Sequence, residues 1–431
     1  MPAILAKREF AFRVLYGEVW SGVSYTGRAR AAVATHQNDY GQKSNRGNEP
    51  SHIFYNNLIP RIMASDPVRS GPEVSVIVPA RNEQASLGAC LASITQQTGA
   101  SFEVIVVDDG STDRTREIAL SFPGVRVIDP QPLPARWTGK NNALVAGAKE
   151  ARGEWLLFTD ADTVHLPGSL AHSVKEATQR SAALFSYSPE QEVDGFWERA
   201  VMPAIFAELA RTYRPRDVCD PASPTAAANG QYLLMSREAY QQVGGHAAVA
   251  TEILEDVALA RLVKARGGKT VLLYGHGAVR TRMYRDFAQL REGWTKNLVL
   301  LFPKTSRLAV VRLAEFSGIV CGATISILAA AKSRAALASV IGASSAVLYL
   351  SFLRRMRTAH FSWPSNLLAV FGLPMFSYLL LRSQLSHKRG TVQWKGRSYA
   401  SGLNSDSGSL TAAQPYALES AGGINQVRSP R

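Results

Sequence analysis

The sequence predicts an α/β fold: a mostly parallel sheet flanked by helices, followed by C-terminal membrane-associated helices. Three observations carry this. Short β-branched runs alternate with helical windows from Val74 onward, polar residues gather just after those runs, and three long apolar windows lie beyond residue 303. With 431 residues, 46% hydrophobic and 19% charged, the chain can bury one large core or two modest ones, which excludes mini-proteins and wholly disordered chains.

Lys plus Arg number 48 against 34 for Asp plus Glu, a net charge of +14 that raises nucleic acid or an anionic membrane as partner. Residues 1–70 sum to +4, residues 71–302 to −2 and residues 303–431 to +12. The excess coincides with the apolar windows, which points to a lipid bilayer whose cytoplasmic face attracts Lys and Arg, and away from nucleic acid. Cys90, Cys219 and Cys321 stand at unrelated spacings, so neither a disulfide framework nor a zinc knuckle is implied, and a reducing compartment fits.

Taken in order, residues 1–70 show neither a sustained helical period nor an apolar run long enough for a secretory signal, although Ile4 to Trp20 suits a short amphipathic helix. A poorly ordered extension is expected there, and an upstream lengthening of the reading frame would account for it. Residues 71–302 hold strands at Val74–Val78, Phe102–Val107, Val125–Ile128 and Trp155–Thr159, and helices at Glu83–Gln97, Arg114–Leu120 and Asn141–Ala151. In open sheets made of such βαβ units, ligands collect beyond the carboxyl ends of the strands, where helix N-termini and loop amides converge. Residues 303–390 hold the windows Leu313–Ala331, Ala335–Leu353 and Ser365–Leu381, which approach the ~20 residues of a spanning helix and predict two to three membrane helices. A soluble bundle would need polar faces that they lack. Basic residues punctuate every connection, so the positive-inside rule leaves the topology open. Residues 391–431 begin basic and turn Ser/Gly-rich, which predicts a juxtamembrane segment and a disordered tail.

The polar residues after the strands are the candidate site. Asp160-Ala161-Asp162 closes the fourth run, and the period of two sends both carboxylates to one side, where hard oxygens can hold Mg2+ or Mn2+ against a diphosphate. The plain alternative is a pair of solvated loop acids, and the two acids ending an earlier strand favour the metal. Asp108-Asp109-Gly110-Ser111 makes a turn with a helix cap, and its carboxylates can also accept the imide N–H of a uracil or bond a ribose hydroxyl. Pro79-Ala80-Arg81-Asn82-Glu83 divides between site and helix cap. Lys140 opens a helix after Trp137-Thr138-Gly139 and adds a cation where a diphosphate would sit. No G-x-x-x-x-G-K-[ST] and no G-x-G-x-x-G follows the first run, so ATPase and dinucleotide readings lose their main support. His165 is open between metal ligand and loop histidine, and Phe196, Trp197 and Phe206 between core packing, an acceptor groove and a bilayer contact.

The succession Pro79-Ala80-Arg81-Asn82-Glu83, Asp108-Asp109-Gly110-Ser111-Thr112-Asp113, Gly139-Lys140-Asn141-Asn142-Ala143 and Asp160-Ala161-Asp162 resembles the family 2 glycosyltransferases, inverting enzymes with the type A nucleotide-sugar fold; the resemblance runs over residues 74–300. It implies that Asp108 and Asp109 bind the donor nucleoside beside Pro79, Asn82 and Glu83. Lys140 lies near the diphosphate, and Asp160 and Asp162 hold the metal. It extends to Asn229-Gly230-Gln231, with Gly230 and Gln231 near the donor sugar and acceptor, and to Glu255-Asp256, with Asp256 the implied catalytic base. Inversion needs such a carboxylate to take the acceptor hydroxyl proton. On position alone, Glu255 and Asp256 are an acidic pair favoured by a helix dipole. Gln289-Leu290-Arg291-Glu292-Gly293-Trp294 is the nearest match to the family's Gln-x-x-Arg-Trp, with extra residues before the Trp; it makes Arg291 and Trp294 diphosphate or acceptor candidates, with Arg282 an equal one.

Arg282-Met283-Tyr284, Glu292-Gly293-Trp294-Thr295-Lys296-Asn297, the apolar helices and Trp394-Lys395-Gly396-Arg397-Ser398-Tyr399 resemble the membrane-associated branch that glycosylates hopanoid, carotenoid and ceramide-type lipids. This implies a UDP-sugar donor, hexosyl transfer to a membrane lipid, and a cytoplasmic catalytic domain on the inner membrane. In that branch the Trp-Lys-Gly-Arg segment returns to the cleft, whereas three full spans would put it across the bilayer. Either one window is re-entrant or interfacial, or the tail stays away, or a further span exists. The rival classes are a sugar-phosphate nucleotidyltransferase, which would want a Gly-rich loop after the first strand, and a non-catalytic membrane scaffold, which would bind no nucleotide.

Overall fold

The computed structural model describes residues 71–399; the expectations placed on residues 1–70 and on the tail after 399 lie outside the described residues. The chain opens with β1 (Val74–Ala80), α1 (Leu87–Thr95), β2 (Phe102–Asp108), α2 (Thr115–Leu120), β3 (Val125–Ile128), α3 (Gly139–Glu150) and β4 (Trp155–Phe158). It continues through β5 (Thr163–His165), α4 (Ser169–Gln179), β6 (Leu184–Ser188), β7 (Glu190–Gln191), α5 (Phe196–Thr212), α6 (Pro215–Cys219), β8 (Leu233–Ser236) and α7 (Arg237–Gln242). Then come α8 (Glu255–Ala265), β9 (Thr270–Tyr274), β10 (Val279–Thr281) and α9 (Phe287–Leu301).

The main sheet has the order β3-β2-β1-β4-β8-β6-β9, with β8 antiparallel to both neighbours and the other pairs parallel. Alternation along β1 feeds two cores: Val74, Val76 and Val78 pack with Leu87 and Leu91 of α1, while Ile77 packs with Leu144 of α3 and Leu259 of α8. Gly147 lets α3 approach, since a Cβ there would strike Ile77. The small sheet β5-β10-β7 is built from the short strands that follow β4, β9 and β6 in the chain.

Most boundaries differ from the expectation by one or two residues, and two differences bear on the site. The first helix begins at Leu87 instead of Glu83, because Asn82 adopts φ 54° and the N–H groups of Ser86 and Leu87 close a turn onto the Glu83 carbonyl. β4 ends at Phe158, so Asp160 and Asp162 stand on the following turn and not on the strand itself.

Beyond α9 lie α10 (Thr305–Ala331), α11 (Ala335–Met356), α12 (Trp363–Arg389) and a hairpin of β11 (Val392–Trp394) and β12 (Arg397–Tyr399). All three helices are long and apolar enough to cross a membrane, but their apolar windows are unequally covered: 11% and 17% buried for the first two, 56% for the third. α12 lies along the sheet domain. A Cβ on Gly372 would strike the Ala200 carbonyl of α5, Ser383 Oγ accepts the Val299 N–H of α9 at 3.0 Å, and His387 Nε2 is 2.8 Å from the Lys296 carbonyl. The base of the α10–α11 pair is fixed to α5 by charge. Arg312 and Arg355 each meet Glu315, at 2.5 and 2.6 Å, and each lies within 3.7 Å of Glu208, which is 1% exposed. The start of α10 and the end of α11 therefore lie together beside the sheet domain. So do both ends of α12, since Phe361 and Lys395 line the same cavity.

Candidate active site

The strand ends of β1, β2 and β4 open onto one cavity of about 600 Å³. Asp109 reaches it because Gly110, at φ 69°, turns the chain directly after the second strand. Asp108 does not line it: the carboxylate is 4% exposed, accepts the Ser111 N–H at 3.1 Å and faces Arg116 at 3.5 Å, so it builds the turn. Asn82 ties the first two strand-end loops together, its Oδ1 accepting the Thr112 N–H at 2.8 Å and its own N–H bonding Ser111 Oγ at 3.1 Å. It therefore bridges loops and does not cap α1. Pro79, Asn82 and Glu83 line the cavity.

Lys140 stands on the first turn of α3, which Thr138 caps by accepting the Asn141 N–H at 3.1 Å. Its Nζ lies 2.7 Å from both Asp160 Oδ1 and Glu255 Oε1, joining residues over a hundred positions apart. Burial opposes the Lys140 charge, yet the two carboxylates hold it well above the ordinary lysine range. Asp162 Oδ1 is buried without a hydrogen-bond partner, and burial, with Asp160 and Glu83 nearby, pushes this carboxyl up to about 7. An orphaned carboxylate oxygen beside a second acid fits a hard divalent cation. Among the described residues no group of three or more His, Cys, Asp and Glu side chains is placed to hold a metal ion by itself. A cation here would rest on Asp160 and Asp162 and complete its shell from phosphate and water.

Asp256 faces the same cavity from the N-terminus of α8. Its Oδ2 accepts the Gly230 N–H at 2.8 Å and its Oδ1 the Val257 N–H at 2.7 Å. Burial and the adjacent Glu255 push it up to about 6 against Lys140 and those two amides. Gly230 is packed so closely that a Cβ would lie 3.2 Å from Lys140 Nζ and 3.5 Å from Asp256 Oδ2. Gln231 lines the cavity and is 5% exposed, its Nε2 donating to Thr281 Oγ1 at 3.3 Å.

Residues 282–301 divide. Arg282 lines the cavity and pairs with Glu198 at 3.3 Å. Trp294 lines it but is 2% exposed, its indole N–H directed at Met202 Sδ at 3.3 Å. Arg291 points away, exposed, its guanidinium 6.0 Å from the Phe287 ring centre. The face of α9 turned inward carries Gln289, Gly293, Lys296 and Asn297, at helical spacing. Sequence reasoning named Lys296 only within the run Glu292–Asn297 and gave it no role, although its position seven after Gln289 was a readable signal. Burial lowers the Lys296 ammonium to about 8, with Glu255 opposing, and it stacks over Trp394 at 4.7 Å.

His165 is neither a metal ligand nor a solvated loop residue. It is 3% exposed, 3.1 Å from Thr159 Oγ1, and burial lowers it to about 3. Phe206 lines the cavity with Leu209, Leu301 and Phe361, forming an apolar wing, whereas Phe196 and Trp197 are exposed and meet edge to face, the latter also contacting Phe287 at a tilt. The tail returns to the cleft: Lys395 pairs with Glu83 and Arg397 with Asp109.

Residues 75–244 match the model of the family described as Glycosyl transferase family 2. The chain is 29% identical over 341 residues to the 4,4'-diaponeurosporenoate glycosyltransferase of Staphylococcus aureus strain USA300, and 30% identical over 340 residues to that of strain MRSA252; each alignment covers 76% of this chain and 88% of the relative. Among solved structures, a mannosyltransferase from Pyrobaculum calidifontis in complex with GDP-Man and Mn2+ is similar, with TM-score 0.43 and 20% identity over 73% of this chain and 86% of that one. Glucosyl-3-phosphoglycerate synthase from Mycobacterium tuberculosis, with TM-score 0.38 and 22% identity, covers 54% of this chain and 79% of its own.

Proposed function

Since the chain belongs to glycosyl transferase family 2 and is a glycosyltransferase, we propose that it moves a hexosyl group from a UDP-sugar to a membrane lipid with inversion at the anomeric carbon. The observation that carries this reading is the joining of Asp160, Lys140 and Glu255 in one chain of 2.7 Å contacts, with Asp162 at one end and Asp256 at the other, all facing one cavity.

Each side chain has a task that its surroundings support. A divalent cation on Asp160 and Asp162, when bound, neutralises the charge that builds on the leaving diphosphate. Lys140 holds Asp160 and Glu255 in place through its two 2.7 Å contacts. Asp256, fixed by the Gly230 and Val257 amides, takes the proton of the acceptor hydroxyl as that oxygen attacks the anomeric carbon and the carbon–phosphate oxygen bond breaks. The proton ends on the carboxylate, and no covalent enzyme intermediate is required.

The apolar wing supports a lipid acceptor. It opens between α5, α9 and the connection from α11 to α12, where a chain leaving the bilayer would meet it. On this reading α10 and α11 cross as a hairpin, while α12 lies along the catalytic domain at the interface. Arg354, Arg355, Arg357, Arg382, Lys388 and Arg389 then sit on the catalytic side and Lys332 and Arg334 on the other, a bias that supports the cytoplasmic face of the inner membrane.

The test is transfer of label from UDP-sugars into extracted lipid by membranes carrying the wild type or Asp256→Asn. Loss of a general base predicts a fall of about 10²-fold or more with thermal unfolding unchanged. Near-normal turnover would remove Asp256 from this role.

A further inference from the structure

We propose that the hairpin β11–β12 is a working part of the donor site, and that Lys395 and Arg397 leave Glu83 and Asp109 to bind the donor diphosphate. This rests on the nucleotide-sugar reading above and extends it to a segment that the family match does not reach.

Three observations carry the proposal. The hairpin tip is aimed into the cleft: Lys395 and Gly396, at φ 47° and 76°, form the two-residue turn that matches strand twist, and Lys395 and Arg397 both line the cavity. The hairpin is held by contacts other than those cations, because Trp394 lies under Lys296 at 4.7 Å and the Lys395 N–H donates to Glu292 Oε1 at 3.2 Å. The place of the hairpin therefore does not rest on the two ion pairs alone. The third observation is place. The Arg397 guanidinium lies against Gly139, where any Cβ would collide with it, at the first turn of the helix that carries Lys140. Lys395 lines the same cavity as Asp160 and Asp162.

Charge supplies the driving force. Glu83, Asp109, Asp160, Asp162, Glu255 and Asp256 would repel a diphosphate unless cations accompany it. Lys395 and Arg397 are 30% and 24% exposed in their side chains, and partly hydrated ion pairs of that kind exchange partners at little cost. Phosphate oxygens offer each cation a stronger charge-assisted bond.

Calorimetry on the full chain in detergent, with Mn2+, distinguishes the outcomes. UDP should bind Lys395→Ala and Arg397→Ala about tenfold or more weakly than wild type, while uridine, which has no phosphate, should bind as well as before or better. UDP binding equal to or tighter than wild type would overturn the proposal, and tighter binding would make the hairpin a plug. Tryptic cleavage after Lys395 and Arg397 of the wild type needs no variant: UDP should slow it and uridine should not, and equal cleavage rates would also overturn the proposal. A wild type that binds no nucleoside diphosphate would sink the donor reading itself, and this inference with it.

Discussion

Replacing Lys140 by Met keeps the apolar stem and removes the charge that sits 2.7 Å from both Asp160 and Glu255. The contacts around Gly230 put this ammonium within about 7 Å of Asp256. At an effective dielectric of about 20, that separation is worth roughly 2 kcal/mol. Lys140 is 35% exposed, and solvent screening reduces the interaction to about half, or roughly one pH unit. Lys140 acts to lower the Asp256 carboxyl, which stands at about 6. A base works unprotonated, so activity is lost as pH falls through its pKa, and the variant should lose it earlier. The acid limb of kcat/KM should move from about pH 6 to about pH 7. The assay is label transfer to lipid across pH 5 to 9, with the divalent ion saturating so that Asp162 stays unprotonated; Lys140→Arg should keep the original limb. A limb that does not move in Lys140→Met would refute the electrostatic chain from Lys140 to Asp256.

Other outcomes follow from the same geometry. Chelating divalent ions should abolish transfer, and Asp162→Asn should remove the Mn2+-dependent part of the thermal stabilisation by UDP; a variant that keeps it would take Asp162 out of the metal site. Glu208→Ala leaves Arg312, 7% exposed, and Arg355 sharing Glu315 alone, and should cost about 3 kcal/mol or more, read as a lower Tm in detergent; an unchanged Tm would show that Glu208 does not fasten α10 and α11 to α5. Arg291→Ala should keep activity within about twofold, because its side chain lies outside the cavity, and a tenfold loss would return it to the site.

The strands were legible because a buried parallel strand needs β-branched residues on both faces, and Val74 to Val78 supply them. The cluster at their ends was legible for a topological reason: successive βαβ units send Pro79, Asp109 and Asp160 to one edge. What was not legible depends on distance in the chain. Nothing local to Glu255-Asp256 says that it faces Lys140, and only the family resemblance brought it forward. Local chemistry also misled where one residue had two uses. Asn82, open between site residue and helix cap, takes the left-handed region and bridges two loops at the cavity, and Asp108 spends its oxygens on its own turn. In α9 the motif spacing pointed to Arg291, but helical phase turns Gln289, Gly293 and Lys296 inward instead. Hydropathy showed three apolar windows without distinguishing the two that stay largely exposed from the one lying against the sheet domain; that distinction comes from Gly372, Ser383 and His387, which pack α12 along α5 and α9.

The most direct test is stereochemical. Membranes carrying the protein are given UDP-sugars labelled at the anomeric carbon, the lipids are extracted, and the configuration of the new glycosidic carbon is read by NMR. A single attack assisted by Asp256 predicts a labelled lipid with the configuration opposite to that of the donor. Retained configuration, or no labelled lipid from any UDP-sugar, would contradict it.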